Sequence, residues 1–253
     1  MNLILNLHEG DEYISNYIRA YNCWEPLTTE LILELLKQKT PDTVFVDIGA
    51  NLGYFSMLAA SKNIPVVAFE PVESNFSLLK KSITDNNFEH LILPYKIPLS
   101  DKKEEIIINV SENNMGRCST RKLLEHDFSY SEKHTSEILD TFFGINNINN
   151  LIIKIDVEEA EKNVLYGMED TIKSGKVSNI IIELSRYDIE IFNFLRKYDF
   201  NKCIIIGYTD KNIVDTNTNY LKTPKYISTI DALELSYQKN PNNQSKILFS
   251  KMV

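Results

Sequence analysis

The sequence predicts an α/β fold, a mostly parallel sheet with helices on both faces, wound around one ligand-binding strand–turn–helix unit. Three observations carry this. Short apolar runs alternate along the chain with segments whose apolar residues recur at helical spacing. Glycine is scarce, eight in 253 residues, yet Gly49 and Gly53 fall in one turn. Acids flank that turn: Asp47 stands before it and Glu70 ends the following strand.

Composition narrows the class before any motif is weighed. The chain is long enough for one α/β domain with a small extension. Its net charge of −8 comes without a basic face or arm, so nucleic acid is not an expected partner. Cys23, Cys118 and Cys203 lie far apart without paired spacing, which suits a reducing compartment and offers no zinc motif. The N-terminus lacks a charged leader with a long apolar core, and no stretch approaches the ~20 apolar residues of a membrane span. A soluble cytoplasmic protein is expected, without membrane contact; oligomeric state has no readable signal.

Residues 11–39 read as two helices, with Tyr13, Ile14, Tyr17 and Ile18 on one face and Leu31, Ile32, Leu35 and Leu36 on another. Thr28 or Thr29 is placed to cap the second. Trp24, the only tryptophan, suits either a core plug or a pocket wall. Glu25 beside it suits either a solvated acid or a ligand contact. Val44 to Ile48 is a buried strand stopped by Gly49; Leu52, Phe55, Leu58 and Ala59 mark a helix; Val66 to Phe69 is the next strand. Phe76, Leu79, Lys80 and Ile83 mark another helix, and Leu91 to Leu99 a third strand. The Ser100-Asp101 turn after it is either an ordinary turn or a contact to an adenine edge, because ligands bind beyond such strand ends.

Glu104 to Val110 looks like the first strand of an inserted hairpin turning at Asn113-Asn114-Met115-Gly116, within an insertion spanning about 104–136. Residues 121–136 read as an irregular loop that shapes an acceptor site, with His126 and His134 as solvated side chains. Leu151 to Val157 is a strong strand whose alternation sets Lys154 and Asp156 on one face. A lysine in so apolar a strand needs a partner. Glu158, Glu159 and Glu161 read as the opening of a helix, favoured by its dipole. Val177 to Leu184, containing Glu183, and Cys203 to Ile206 are strands joined by a helix. Residues 208–244 are weakly patterned, and Lys246 to Ser250 supplies a last strand.

The acids decide the ligand. A dinucleotide fingerprint sets pyrophosphate on a glycine-rich helix N-terminus. Here the run is Asp47-Ile48-Gly49-Ala50-Asn51-Leu52-Gly53, which lacks that pattern and places a carboxylate at the mouth. Asp47 repels pyrophosphate and attracts an ammonium or sulfonium, and Glu70 suits a ribose diol. S-adenosylmethionine (SAM) fits both.

The chain resembles the FkbM-type SAM-dependent methyltransferases. The resemblance rests on Val46 to Tyr54, on Ala68-Phe69-Glu70-Pro71, and on Ile153-Lys154-Ile155-Asp156-Val157-Glu158 with Ala160-Glu161; it covers roughly residues 24–185. It implies a class I methyltransferase fold, a seven-stranded sheet with an antiparallel last strand. Residues 1–40 would then be a helical extension and 41–253 a single methyltransferase domain. It implies O-methylation of a sugar, glycan or other small hydroxyl acceptor, with S-adenosylhomocysteine (SAH) as product. Asp47, Gly49, Asn51, Gly53 and Tyr54 would hold the methionine part, Glu70 the ribose diol, and Ser100 and Asp101 the adenine; Ala50, Pro71 and Glu25 are further cofactor candidates. Asp156 is the first choice for a catalytic base, Lys154 its orienting partner and Glu183 the reserve, with a purely structural ion pair as the competing reading. No metal ligands are assigned. One departure stands out: Glu159 occupies the position of a family glycine. The rivals are an NAD-type oxidoreductase or epimerase and a scaffold that binds SAM without chemistry.

Overall fold

The computed structural model describes residues 3–111, 128–142, 149–206, 226–239 and 245–251. Two helices, α1 (Ile14–Tyr21) and α2 (Pro26–Lys37), precede the sheet. The second begins earlier than expected. Pro26 takes its first position, where a fixed φ and a missing N–H cost nothing. Thr28 and Thr29 therefore lie inside the first turn, and the Thr29 hydroxyl donates to the Trp24 carbonyl rather than capping the helix.

The winding unit follows: β1 (Thr43–Ile48), α3 (Tyr54–Ala60), β2 (Val66–Phe69), α4 (Glu73–Asp85) and β3 (Ile92–Tyr95). The third strand is shorter than its apolar run, because it pairs only with β2 and ends level with it. Leu99 makes just an isolated bridge to Glu137. Next come β4 (Glu105–Val110) and β5 (Tyr130–Thr135), an antiparallel pair outside the main sheet. The inserted hairpin is thus present, but its second strand lies in a stretch expected to be loop. The expected turn at Asn113 to Gly116 is outside the described residues.

The chain returns through β6 (Asn150–Ile155), α5 (Glu161–Tyr166), α6 (Glu169–Lys173), β7 (Val177–Leu184), α7 (Ile189–Lys197), β8 (Lys202–Ile206), β9 (Tyr226–Thr229), α8 (Ile230–Lys239) and β10 (Ser245–Ser250). The main sheet runs β3-β2-β1-β6-β7-β10-β8-β9. Strands β3, β2, β1, β6 and β7 pair in parallel, while β10 runs antiparallel between β7 and β8. This is the expected class I arrangement with one strand more. The extra strand β9 and helix α8 come from the stretch whose sequence showed no clear pattern.

Strand alternation divides the core. Val46, Ile48, Ile153 and Ile155 face a layer that includes α5, α7 and α8 side chains. Phe45 and Ile152 face the layer that holds Leu31, Ile32 and Leu36 of α2 with Phe55 and Leu79. The N-terminal helical segment therefore packs on the sheet as part of that second layer. Burying one such Ile, Leu or Phe contributes roughly 1.5–3 kcal/mol, so both layers hold the strand ends in a fixed arrangement.

Candidate active site

The C-terminal ends of β1, β2, β6 and β7 converge on a cleft of about 490 Å³, within the range of small-molecule sites. Its floor is the turn after β1. Gly49 has φ 76°, and a Cβ there would lie 1.8 Å from the Asp156 carbonyl oxygen. Only glycine lets the turn pass so close to the end of β6. Gly49 and Ala50 donate backbone N–H bonds to the Phe69 carbonyl at 3.0 and 2.9 Å. Asn51 holds φ 52°, and its N–H donates to Glu70 Oε2 at 2.8 Å. Gly53 does not line the cleft; its missing Cβ makes room for Leu79 of α4.

Glu70 is 4 % exposed and also accepts the Val72 N–H at 3.0 Å. Burial outweighs these bonds and pushes its carboxyl up to about 7. Oε1 also accepts from Asn75 Nδ2 at 3.5 Å, and the carboxyl edge that lines the cleft is the kind of acceptor a ribose diol requires. Pro71 lines the cleft beside it, and the hairpin's Ile106 and Ile108 close the same end. The hairpin packs on Val72, so it borders the Glu70 end rather than the opposite one.

Asp47 lies below the cleft instead of at its mouth. It is fully buried, accepts the Ser56 hydroxyl at 2.7 Å and lies 3.5 Å from Lys154 Nζ. Lys154 is the group between Asp47 and the cleft. It donates to the Gly49 carbonyl at 2.8 Å and reaches Asp156 at 3.6 Å. Burial opposes its charge, but Asp156 and Asp47 hold its pKa above the usual lysine value. The partner that an apolar-strand lysine demands is therefore both acids. Ser100 and Asp101 do not line the cleft; Ile97, Pro98 and Leu99 do. The chain dives after Leu99, so that the Ser100 carbonyl occupies the space over Gly167 and Asp101 accepts from Asn163 at 3.0 Å.

The far end of the cleft gathers Trp24, Glu25, Tyr54, Asp156, Glu158 and Glu183. Trp24 is both things proposed for it, a cleft wall and part of the packing against the α2 layer. Behind the acids sits a residue the motif search passed over. Lys246 donates to Glu25, to Asp156 at 2.9 Å, and pairs with Glu183 at 3.0 Å. It lies opposite Glu183 in the β7–β10 register. The signal was available: Lys246 is a lysine in an apolar strand, the same oddity as Lys154. Burial works against ionisation of Asp156, but Lys246 and Lys154 overcome it and hold the carboxyl well below the usual range. Glu183 moves the other way, raised by burial and by the neighbouring Asp156.

Glu158 and Glu159 do not open the helix as expected. They precede it with φ 53° and 77°, and only Glu161 lies inside α5. Glu161 accepts the Glu159 N–H at 3.0 Å and so closes the turn. The family glycine's position is thus a left-handed one, which Glu159 occupies with Arg186 at 3.8 Å from its carboxylate. Glu158 lines the cleft half-buried, and its side chain makes no hydrogen bond or ion pair among the described residues. Burial, then the charges of Asp156, Glu183 and Glu161, push it up to about 8.

Acidic groups at both ends of the cleft suit a cationic cofactor with a ribose better than an anionic pyrophosphate. The Methyltransferase FkbM domain matches residues 47–202. The chain belongs to that family. Its cofactor is SAM, and the donor set just described fits that group. Two curated proteins are similar to the chain. The AMB antimetabolite synthetase AmbE of Pseudomonas aeruginosa is 26% identical over 181 residues, 57% of this chain and 8% of that protein. Methyltransferase 1 of Beauveria bassiana is 24% identical over 168 residues, 56% of this chain and 65% of that protein. The matches thus span less than two thirds of either relative. Among solved structures, a SAM-dependent methyltransferase from Agrobacterium tumefaciens superposes with a TM-score of 0.48 at 7% identity, covering 90% of this chain and 62% of that one. The fold assignment rests on the chain's own strand order. No helix among the described residues is long and apolar enough to cross a membrane.

Proposed function

We propose that the protein is a SAM-dependent O-methyltransferase that acts on a hydroxyl of a neutral, sugar-like or other small acceptor in the cytoplasm. The observation that carries the proposal is the Glu158 carboxyl at the far end of the cleft, without a hydrogen-bond or ion-pair partner among the described residues and shifted toward neutrality. When bound, SAM would supply a methyl group on a positively charged sulfur, and transfer to the acceptor oxygen would break the carbon–sulfur bond, the electron pair staying on sulfur to give neutral SAH. The hydroxyl proton must go elsewhere, and a carboxylate with a pKa near the working pH is the better base. Glu158 meets that condition. Asp156, held ionised by two lysines, is too weak a base and instead anchors the end of β6. The acidic lining disfavours phosphorylated acceptors and nucleic acid, in keeping with a net charge of −8. Glu159 holds φ 77°, a conformation that glycine adopts freely, which favours a working turn over a scaffold that has lost its chemistry.

Calorimetric titration with SAH and NAD, followed by SAH release in the presence of neutral sugars, glycosides and other hydroxyl compounds, tests the reading. Micromolar SAH binding, no NAD binding and turnover on a hydroxyl acceptor are expected. NAD binding without SAH binding overturns it. Glu158→Gln is expected to lower turnover by about 10²–10⁴-fold while leaving SAH affinity nearly unchanged. For the parent protein, turnover should rise with pH toward about 8, because the base works only when ionised.

A further inference from the structure

The acceptor end of the cleft contains a cage for a cation. Glu25, Asp156 and Glu183 each offer a carboxyl oxygen, and these oxygens lie within 4.8 Å of one another. Three carboxyl oxygens from three separate parts of the chain are a donor set for a hard divalent cation. They come from the turn before α2, the end of β6 and strand β7. The place is taken by the chain itself. Lys246 Nζ contacts all three groups, with its side chain 11% exposed and excluded from the cleft surface.

We propose that Lys246 is a tethered cation standing where a divalent ion would otherwise bind, a positioning residue that holds Glu25, Asp156 and Glu183 around the acceptor without a metal. The inference rests on the acceptor assignment made above. An ammonium has three donors, and here each meets a different carboxyl group. A covalently attached cation needs no supply from solution and cannot be removed by a chelator. It also links β10, the antiparallel strand between β7 and β8, to the acceptor end. The neighbouring ammonium, Lys154, reaches only Asp156 of the three, at 3.6 Å, and is otherwise engaged by Asp47 and the Gly49 carbonyl. Removing the Lys246 side chain therefore leaves three clustered acids and a vacant space of about an ion's size.

The test uses Mn²⁺, counted by electron paramagnetic resonance, on the parent protein, Lys246→Ala and Lys246→Met, with melting temperature and SAH affinity measured on the same samples. The parent should hold no Mn²⁺ that Glu183→Gln removes, and EDTA should leave its SAH affinity unchanged. Lys246→Ala should gain one Mn²⁺ per chain, bound at least tenfold more tightly than any site in the parent. Its lowered melting temperature should recover on adding the metal. Lys246→Met, which refills the space with an apolar chain, should gain no such site and no recovery. A Glu183-dependent Mn²⁺ site in the parent overturns the inference. So does a Lys246→Ala protein that binds no additional Mn²⁺ or stays unfolded with and without it, and so does a Lys246→Met protein that gains the same site. Failure of the parent to bind SAH removes the methyltransferase reading instead, and leaves the metal result to stand by itself.

Discussion

Glu159 and Gly49 share nearly the same backbone angle, φ 77° and 76°, and answer opposite questions about it. At Glu159 the left-handed conformation costs roughly 1–2 kcal/mol relative to glycine, and Arg186 lies 3.8 Å from its carboxylate. Such a half-exposed pair contributes little. Glu159→Gly is therefore expected to raise stability by about 0.5–1 kcal/mol, once the greater freedom of glycine in the unfolded chain is subtracted. The denaturant midpoint measures it, and an unchanged or lowered midpoint would show that the Arg186 contact outweighs the backbone. At Gly49 the same angle is combined with a neighbour, since a Cβ would meet the Asp156 carbonyl at 1.8 Å. Gly49→Ala must displace the end of β6, so a loss of about 3 kcal/mol or more is expected, with SAH affinity at least tenfold weaker. Retained affinity in a folded Gly49→Ala protein would contradict the account of the floor.

At the scale of elements, the hairpin of β4 and β5 has the sharpest consequence. Its Ile106 and Ile108 line the cleft, and Ile108 shares a small apolar cluster with Val72, two residues beyond Glu70. The hairpin therefore bears on the cofactor rather than on the choice of acceptor. Ile106→Ser, at a half-buried position, is expected to weaken SAH binding by about three- to tenfold with little change in melting temperature. Unchanged SAH affinity with altered acceptor preference would restore the acceptor role read from the sequence. The main strands were legible because burial on both faces writes a continuous apolar run, as in Thr43–Ile48 and Asn150–Ile155. Strand β5, Tyr-Ser-Glu-Lys-His-Thr, was not, because it alternates between half-buried and exposed positions and pairs through charges such as Lys133 with Glu105. The same limit explains the site. Asp47, Glu70 and Lys154 stand out as charges in apolar strands, whereas the cleft position of Glu158 depends on a positive φ that glutamate does not announce. Ser100 and Asp101 lie outside the cleft lining because the chain dives after Leu99, a direction that a strand-end turn does not announce.

Across the whole molecule, acids drawn together for the site leave a signature in the pH dependence of stability. Burial pushes Glu70 and Glu161 from 4.5 up to about 7, and Glu158 from 4.5 up to about 8. The unfolded chain releases these protons near its ordinary value while the folded chain keeps them until neutrality or above. Over that interval the folded state binds more protons, so stability falls as pH rises. Asp156 acts in the opposite sense: its lowered pKa contributes stability that is already complete above the ordinary carboxylate range and is lost only on further acidification. The raised lysines, Lys154 and Lys246, change only above 10.5, outside the interval. The ligand-free protein is therefore expected to melt highest near about pH 4 to 5, where the unfolded glutamates begin to ionise, and to lose stability steadily toward about pH 8, the position of Glu158. Glu158→Gln removes the last group to titrate, so its melting temperature should flatten about one pH unit above the value of about 7 at which Glu70 and Glu161 are half ionised. Melting curves every half unit across this range decide the matter, since a parent profile that rises with pH would mean the three glutamates are ionised together in the folded chain, and Glu158 would lose its claim to be the base.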